Sequence, residues 1–219
     1  MERKSIRPTH HIIDLRIPQG DSTIPRDWKR QFLSEPENSW LCEVPNEFIL
    51  DKFNLNGLSE KNNLFQFGCD IITTNFKLDG IPSTIIREIK LYLPQLYGQI
   101  HARYIISPDG LKQMQDLYRR AQFGTCPRVS CANEHLIPIG RSSKPSEDTV
   151  KAFCPRCRRL YNPKSGISLD GSFFGPNMVH ILMDELGLSS HHKSFCPFVR
   201  TAFGFRVADK RLLDPSDYR

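Results

Sequence analysis

The chain contains no long apolar run and none of the motifs that mark the common classes of enzyme. No stretch of its 219 residues approaches the roughly 18 consecutive apolar residues of a membrane-spanning helix. The phosphate-binding loop G-x-x-x-x-G-K-[ST], the hydrolase motif G-x-S-x-G, the metalloprotease motif H-E-x-x-H and the glycine-rich, H-R-D and D-F-G elements of protein kinases are all missing. Met1 to Ser5 lead into polar sequence rather than into the apolar core of a secretion signal. We therefore expect a non-catalytic protein inside the cell, with reduced cysteines.

The chain does contain enough apolar sequence for a folded core, and its charge is unevenly distributed. Hydrophobic residues make up 39% of the chain and aromatic residues 10%, as in globular proteins. The net charge is +6. Residues 119–164 carry ten Lys or Arg against three Asp or Glu, whereas residues 31–118 carry seven against eleven. The positive charge is therefore concentrated in one segment, which is a reason to consider a nucleic-acid partner.

The basic segment also holds four cysteines in two pairs. The 22 residues between the pairs can form a hairpin that brings the second pair back beside the first. We predict a closed, structural zinc site in which four thiolates surround one ion. Nearby arginines would offset the negative charge of that cluster. The predicted ligands are Cys126, Cys131, Cys154 and Cys157, and the arginines are Arg128, Arg156 and Arg158.

Two other interpretations of these cysteines are weaker. A Cys-x-x-Cys redox motif needs a strand-to-helix context, and Pro155, Pro163 and the dense charge around them argue against one. Disulfides require an oxidising compartment, and seven cysteines are an odd number. The other cysteines are expected to be small buried side chains, and two histidine pairs to be solvated rather than metal ligands. These residues are Cys42, Cys69, Cys196, His10, His11, His191 and His192.

Hydrophobic periodicity predicts helices before the zinc segment and one short helix after it. A long helix is expected after Pro82, with Pro94 either kinking it or dividing it into two abutting helices. Ser107 is the predicted N-cap of a helix over residues 108–121 that leads into the first cysteine pair. Loops and short strands are expected in the zinc segment. The apolar face of the long helix comprises Ile85, Ile89, Leu93, Leu96, Ile100 and Tyr104, and shorter elements are predicted at 45–53 (helix), 178–186 (helix) and 195–207 (extended).

Several distinctive strings follow one another along the chain. The run L-Y-G-Q-I-H-A-R-Y-I lies at residues 96–105, F-G-T-C-P-R-V at 123–129 and L-I-P-I-G at 136–140. The runs D-G-S-F-F-G at 170–175 and F-G-F at 203–205 continue the order. In these residues, over about 28–207, the chain resembles the regulatory (beta) subunit of the protein kinase casein kinase II.

The resemblance implies an α+β fold without catalytic activity of its own. It implies an all-helical domain at 28–121, a small zinc-ribbon dimerisation domain at 122–165, and a C-terminal helix with an extended kinase-docking segment at 166–219. The composition of the first residues, rich in Lys, Arg and Pro, predicts a basic flexible arm at 1–27. The implied cofactor is one structural zinc ion per chain. The implied partners are a second copy of the chain, two casein kinase II catalytic subunits in a heterotetramer, and the protein substrates of that complex. The implied location is cytoplasmic and nuclear.

The resemblance also assigns residues to two interfaces. Phe203 and Phe205, with Gly204 between them, match the docking segment, although the family usually has tyrosine at the first position. On an extended strand both rings would point to one side and anchor the chain in a groove of the kinase. The other interpretation is that they fill the chain's own core. Because a small zinc module buries little apolar surface alone, the predicted dimer interface includes Pro127, Val129, Ile137, Ile139 and Leu160.

The chain departs from the family pattern in two places. Residues 75–83 lack the acidic run that the family commonly carries there, and basic residues replace the family's serine- and glutamate-rich start. Regulation through an acidic loop and autophosphorylation of the start are therefore not predicted. The basic arm could recruit acidic substrates or contact nucleic acid. A zinc-ribbon nucleic-acid-binding protein remains the alternative function, although the zinc segment offers only Phe153 and Tyr161 for base stacking.

Overall fold

The computed structural model describes residues 24–58, 64–77, 80–164, 166–188 and 201–207. These residues form a helical part, a small antiparallel sheet and a separate hairpin. Within them, no helix is both long and apolar enough to cross a membrane. The elements are α1 (Trp28–Ser34), α2 (Asn46–Leu50), α3 (Phe65–Ile72), α4 (Ser83–Tyr104), α5 (Pro108–Arg119), β1 (Ile137–Ile139), β2 (Lys151–Phe153), β3 (Leu160–Tyr161), α6 (Met178–Glu185), β4 (Thr201–Ala202) and β5 (Phe205–Arg206).

Helix α4 supplies the centre of the helical part, as its periodicity predicts. Burial of each large aliphatic side chain on its inner face stabilises the fold by about 1.5–3 kcal/mol. The helix continues through Pro94, so the alternative of two abutting helices is wrong. The predicted positions Ile89, Leu93, Leu96, Ile100 and Tyr104 are all buried, and Ile85 is partly buried against the same core.

Two buried polar side chains on α4 hold segments that are distant in sequence. The hydroxyl of Tyr97 donates to the carbonyl of Cys42 at 2.7 Å and accepts the N–H of Val44 at 3.0 Å. On the next turn, His101 Nε2 accepts the N–H of Cys42 at 3.0 Å, and Nδ1 donates to the carbonyl of Phe173 at 2.8 Å. Complete burial lowers the pKa of His101 to about 4, against a smaller opposing effect of the Phe173 carbonyl. The neutral imidazole is therefore a structural link between three segments.

A short 3-10 helix, Gly171–Phe173, packs directly on α4. The approach is close at Gly98, where a Cβ would lie 2.1 Å from the ring atom Cδ1 of Phe173. The following helix α6 contacts both α5 and β1. The chain after the sheet therefore returns to the helical part before it reaches the hairpin.

The shorter helices agree with the sequence patterns in most positions. The Ser107 hydroxyl accepts the N–H of Gly110 at 3.2 Å, which makes Ser107 the N-cap of α5 as predicted. Helix α6 coincides with the predicted helix at 178–186 to within one residue. The helix after Pro45 is shorter than predicted: it ends at Leu50, and Phe53 lies beyond it with 85% of its surface exposed.

The strands are short, and one prediction about them is wrong. The three-stranded sheet has the order β1–β2–β3, with both pairs antiparallel. The predicted extended run through residues 203–205 is instead the tip of the β4–β5 hairpin. Phe203 has φ 53 and Gly204 has φ 86, which are the backbone angles of a two-residue type I′ turn. The prediction assumed that side chains alternate between two sides of one continuous strand, but the chain reverses direction at Phe203 and Gly204.

Some predicted features lie outside the described residues. They are residues 1–23 of the predicted arm, residues 195–200 of the predicted extended stretch, both histidine pairs and Cys196. Cys42 and Cys69 are buried, as predicted for small apolar side chains, and burial raises the pKa of each thiol to about 12.

Candidate metal centre

The four predicted ligands converge on one point. The Sγ atoms of Cys126, Cys131, Cys154 and Cys157 all lie within 4.8 Å of one another. The Cys126 and Cys157 sulfurs are 3.9 Å apart. A tetrahedral zinc ion with Zn–S distances of about 2.3 Å places its sulfurs about 3.8 Å apart. The cluster therefore fits one ion of that size, and all four donors are of the type that zinc prefers in structural sites.

Each cysteine pair lies on a tight turn of the backbone. In the first, Cys126 donates its N–H to the carbonyl of Glu134 at 2.8 Å, and Ala132 takes the left-handed conformation with φ 51 just after Cys131. In the second, the N–H of Arg158 bonds to the carbonyl of Cys154 at 2.8 Å, and Arg158 has φ 53. These two backbone turns therefore orient the sulfurs of both pairs towards the centre of the cluster.

The thiols differ in their acidity in the absence of an ion. Burial raises the pKa of Cys131 to about 11, and burial also raises the pKa of Cys154. Burial acts in the same direction on Cys157, but hydrogen bonds from Tyr161 and Cys154 outweigh it and lower the pKa of Cys157 to about 7. A metal ion that binds all four thiolates must displace protons from the first two. Metal binding at this site is therefore expected to weaken as the pH falls.

Two other side chains reach the cluster from the same module. The hydroxyl of Tyr161 lies 3.3 Å from the Cys157 sulfur and 3.6 Å from the Cys126 sulfur. The Arg156 guanidinium donates to the carbonyl of Cys131 at 3.3 Å, so one of the predicted arginines lies beside a ligand. The contact of Tyr161 with the sulfurs was not predicted from the sequence. Its position four residues after the last cysteine, on a strand paired with β2, is the signal that could have indicated it.

The residues proposed for a dimer interface differ in exposure. Val129 is 95% exposed and Leu160 is 44% exposed, and Pro127 is exposed as well. Ile139 is partly buried against the core. Ile137, however, is fully buried within the chain. Ile137 is therefore part of the core of the chain. The apolar surface that a partner could contact consists of the exposed residues Pro127, Val129 and Leu160.

The proposed docking residues stand out from the surface. Phe203 is 101% exposed and Phe205 is 78% exposed, so neither ring fills a core among the described residues. Gly204 between them completes the turn. Large aromatic side chains so fully exposed to water are unusual in a folded chain and are typical of a binding site.

The alternative of nucleic-acid binding gains little from these positions. Phe153 is half-buried against the core, and the hydroxyl of half-buried Tyr161 is directed at the sulfurs. Neither ring forms an open platform for base stacking. Part of the positive charge lies beside the cysteine cluster itself.

The chain is similar to one known family over most of its length. The family model for the casein kinase II regulatory subunit matches residues 27–206. Casein kinase II subunit beta-2 of Neurospora crassa is 35% identical over 193 residues, which cover 87% of this chain and 67% of that protein. Casein kinase II subunit beta of Schizosaccharomyces pombe is 36% identical over 200 residues, with 89% and 85% covered. Casein kinase II subunit beta' of Saccharomyces cerevisiae is 37% identical over 188 residues, with 82% and 72% covered.

Proposed function

This chain belongs to the casein kinase II regulatory subunit family and is not itself a catalyst; on that basis we propose that it dimerises through a zinc-bound module and docks catalytic subunits through its C-terminal hairpin. The complex would contain two chains of each kind. In it, the regulatory chains would modulate the stability and substrate choice of the kinase. The single observation that carries the proposal is the convergence of four sulfurs within 4.8 Å.

Zinc is the ion we assign to this site, with one ion per chain. The sulfur donors and their tetrahedral spacing favour zinc over calcium or magnesium, which prefer oxygen ligands. When bound, the ion would hold the two cysteine turns together and supply no reaction. Cysteines must be in the reduced form to bind a metal, and the cytoplasm and nucleus keep cysteines reduced. We therefore also propose a cytoplasmic and nuclear location.

The dimer interface is proposed to lie on the exposed apolar surface of the same module. The three strands β1–β3 span few residues and cannot enclose a large core. Val129 lies in the first cysteine turn and Leu160 follows the second, so both turns present an apolar side chain to solvent. The metal that shapes the turns would therefore also shape the interface. A second copy of the chain could cover this surface in an isologous contact.

The docking site is proposed to be the tip of the β4–β5 hairpin. The turn projects Phe203 from its tip and Phe205 from the start of β5, which differs from two rings on one side of a strand. Aromatic anchors of this kind commonly carry much of the binding free energy of an interface. Two such rings on a short hairpin can enter an apolar groove of a partner. We assign that groove to the casein kinase II catalytic subunit.

Co-expression with a casein kinase II catalytic subunit tests both parts of the proposal. Light scattering coupled to gel filtration should give a heterotetramer, and elemental analysis should give one zinc ion per regulatory chain. The variant Phe203→Ala/Phe205→Ala should weaken retention of the kinase by at least about tenfold, as expected for loss of aromatic anchors. Phe53→Ala is the matched control, because Phe53 is 85% exposed in the helical part. If the double variant and the control retained the kinase equally, the docking assignment would be wrong while the zinc assignment would stand.

A further inference from the structure

We infer that the hydroxyl of Tyr161 donates a hydrogen bond to the metal-bound thiolates of Cys126 and Cys157 and slows loss of the metal. The hydroxyl oxygen lies 3.6 Å from the first sulfur and 3.3 Å from the second. Both distances are within the range of hydrogen bonds to sulfur. The inference rests on the zinc site proposed above and assigns a residue outside the four ligands to that site.

Backbone hydrogen bonds determine the position of Tyr161 relative to the cysteines. It lies on β3, opposite Ala152 of β2. The N–H of Cys154 bonds to the carbonyl of Arg159 at 3.0 Å, which ties the second cysteine turn to the start of that strand. In the folded module, the strand pairing therefore places the phenol beside the sulfurs.

Chemistry determines the direction of this hydrogen bond once the cysteines bind a metal. A thiolate has no proton and can only accept, whereas a neutral phenol can donate its single proton. The two sulfurs are 3.9 Å apart, so one hydroxyl can be shared between them. Donation withdraws electron density from both thiolates and reduces the negative charge that four of them bring together. Groups of this kind commonly change metal affinity by about 10- to 100-fold when they are removed.

Tyr161 also borders the solvent. A cleft of about 250 Å³ is lined by Arg141, Lys151, Leu160, Tyr161 and Asn162. One side chain therefore contacts both the cleft and two sulfurs, while Cys157 is the one ligand that is not fully buried. Water, protons and chelators that approach from this side meet the phenol beside the more exposed ligand.

The test compares Tyr161→Phe with Tyr118→Phe in the full-length chain. Phenylalanine keeps the ring and removes only the hydroxyl. Tyr118 of α5 is a matched control, because its hydroxyl donates to the carboxylate of Glu134, three residues after Cys131, at 2.9 Å and not to sulfur. Zinc transfer to excess EDTA, followed with a chromogenic zinc indicator, should be about tenfold faster in Tyr161→Phe than in wild type. Tyr118→Phe should release zinc at the wild-type rate.

A spectroscopic measurement separates hydrogen bonding from simple loosening of the fold. In protein reconstituted with Co²⁺, loss of the hydrogen bond raises the energy of the sulfur lone pairs. The sulfur-to-cobalt charge-transfer band should therefore move to longer wavelength in Tyr161→Phe alone, with the tetrahedral d–d bands retained. Complete loss of metal from Tyr161→Phe alone, with an unchanged helical circular dichroism spectrum, is the extreme form of the same result.

Three outcomes would overturn the inference. Wild-type protein without zinc would remove the proposed metal site and this role with it. Zinc in the wild type, with equal release rates and band positions in wild type and Tyr161→Phe, would remove only the role of Tyr161. Equal changes in Tyr118→Phe and Tyr161→Phe would show a general effect of losing a tyrosine hydroxyl that contacts the module.

Discussion

The helical part and the cysteine module reach a fixed structure by different physical means. Helix α4 alone buries a row of large aliphatic side chains, and its polar groups Tyr97 and His101 are satisfied by backbone groups of other segments. The module has three strands of two or three residues and a cluster of four sulfurs. The hydrophobic effect can sustain the first region without a metal. The second has little secondary structure of its own, so under the function proposed above it would depend on the metal ion held by its cysteines.

The two regions nevertheless meet along a continuous core. Trp40 packs edge-to-face on Phe123 with ring centroids 5.5 Å apart, and α6 contacts both α5 and β1. The chain has two tryptophans, Trp28 and Trp40, and both lie in the helical part. The fluorescence of Trp28 therefore reports on the helical part, that of Trp40 also senses the contact with Phe123, and metal content reports on the module. The difference between the regions can be tested by destabilising one region at a time while both tryptophan fluorescence and metal content are measured.

Removal of the metal should have the largest effect and should affect the regions unequally. Zinc binding contributes about 10–16 kcal/mol in small zinc peptides, which equals or exceeds the stability of a whole domain. We expect Cys154→Ser or treatment with a strong chelator to abolish amide protection in residues 126–161 and to dissociate the dimer. The fluorescence of Trp28, stacked on Phe32 with centroids 4.8 Å apart, should persist. Hydrogen exchange by NMR and light scattering are the measurements.

Cys69→Ser is the control for this experiment. Cys69 is also a buried cysteine, but it lies in α3 and outside the cluster. Its substitution should lower stability without changing zinc content. An unchanged dimer after complete zinc removal would contradict the dependence of the module on its metal.

Truncation of one core side chain on α4 should have the next largest effect, on the other region. Leu93 is fully buried, and Leu93→Ala should lower the free energy of unfolding by about 2–5 kcal/mol through lost burial and a residual cavity. Leu91 lies on the same helix with 48% of its surface exposed, so Leu91→Ala is the matched control and should cost less than about 1 kcal/mol. Urea unfolding followed by tryptophan fluorescence measures both. Loss of zinc from folded Leu93→Ala protein, or equal costs in the two variants, would contradict the separation of the regions.

The sequence could predict those features of each region that depend on local spacing. The buried face of α4, the cap at Ser107 and the four converging cysteines all follow from patterns within short windows. The sequence could not predict contacts between distant segments. His101 binds Cys42 and Phe173, which are 59 and 72 residues away, and no local period specifies such pairs.

Tertiary contacts also decided which predicted residues are exposed. Ile137 and Ile139 lie on the same side of β1, so their pattern alone did not indicate that the first is fully buried and the second only partly. These differences depend on how β1 packs against distant segments, which include β2 and α6. At the hairpin, the Phe-Gly-Phe run is equally compatible with a strand and with a turn. The positive φ of Phe203, a residue that rarely adopts it, was not foreseeable from a pattern that favours strands.

Protonation of His101 should produce the smallest effect, and it tests how α4 is joined to the segments at 42–44 and 171–173. His101 has a pKa of about 4 in the folded chain because it is fully buried, against an ordinary value of 6.5. Below pH 6.5 the unfolded chain binds a proton that the folded chain does not accept until about pH 4. Stability therefore falls as the pH decreases through this window, and between pH 7 and pH 5 the loss from this group is about 2 kcal/mol.

NMR titration of the His101 ring measures the cause directly, and urea unfolding read by tryptophan fluorescence at pH 7, 6 and 5 measures the consequence. The ring should stay neutral at pH 6, with Nδ1 protonated and bonded to the carbonyl of Phe173. Protonation near pH 4 would break the bond that Nε2 accepts from Cys42, because that nitrogen would become a donor facing a donor. The segment at 171–173 and the segment at 42–44 would then lose their shared link to α4. A midpoint near pH 6.5 in the ring shifts would instead mean that solvent reaches this histidine, and that the link between α4 and these two segments is looser than its hydrogen bonds indicate.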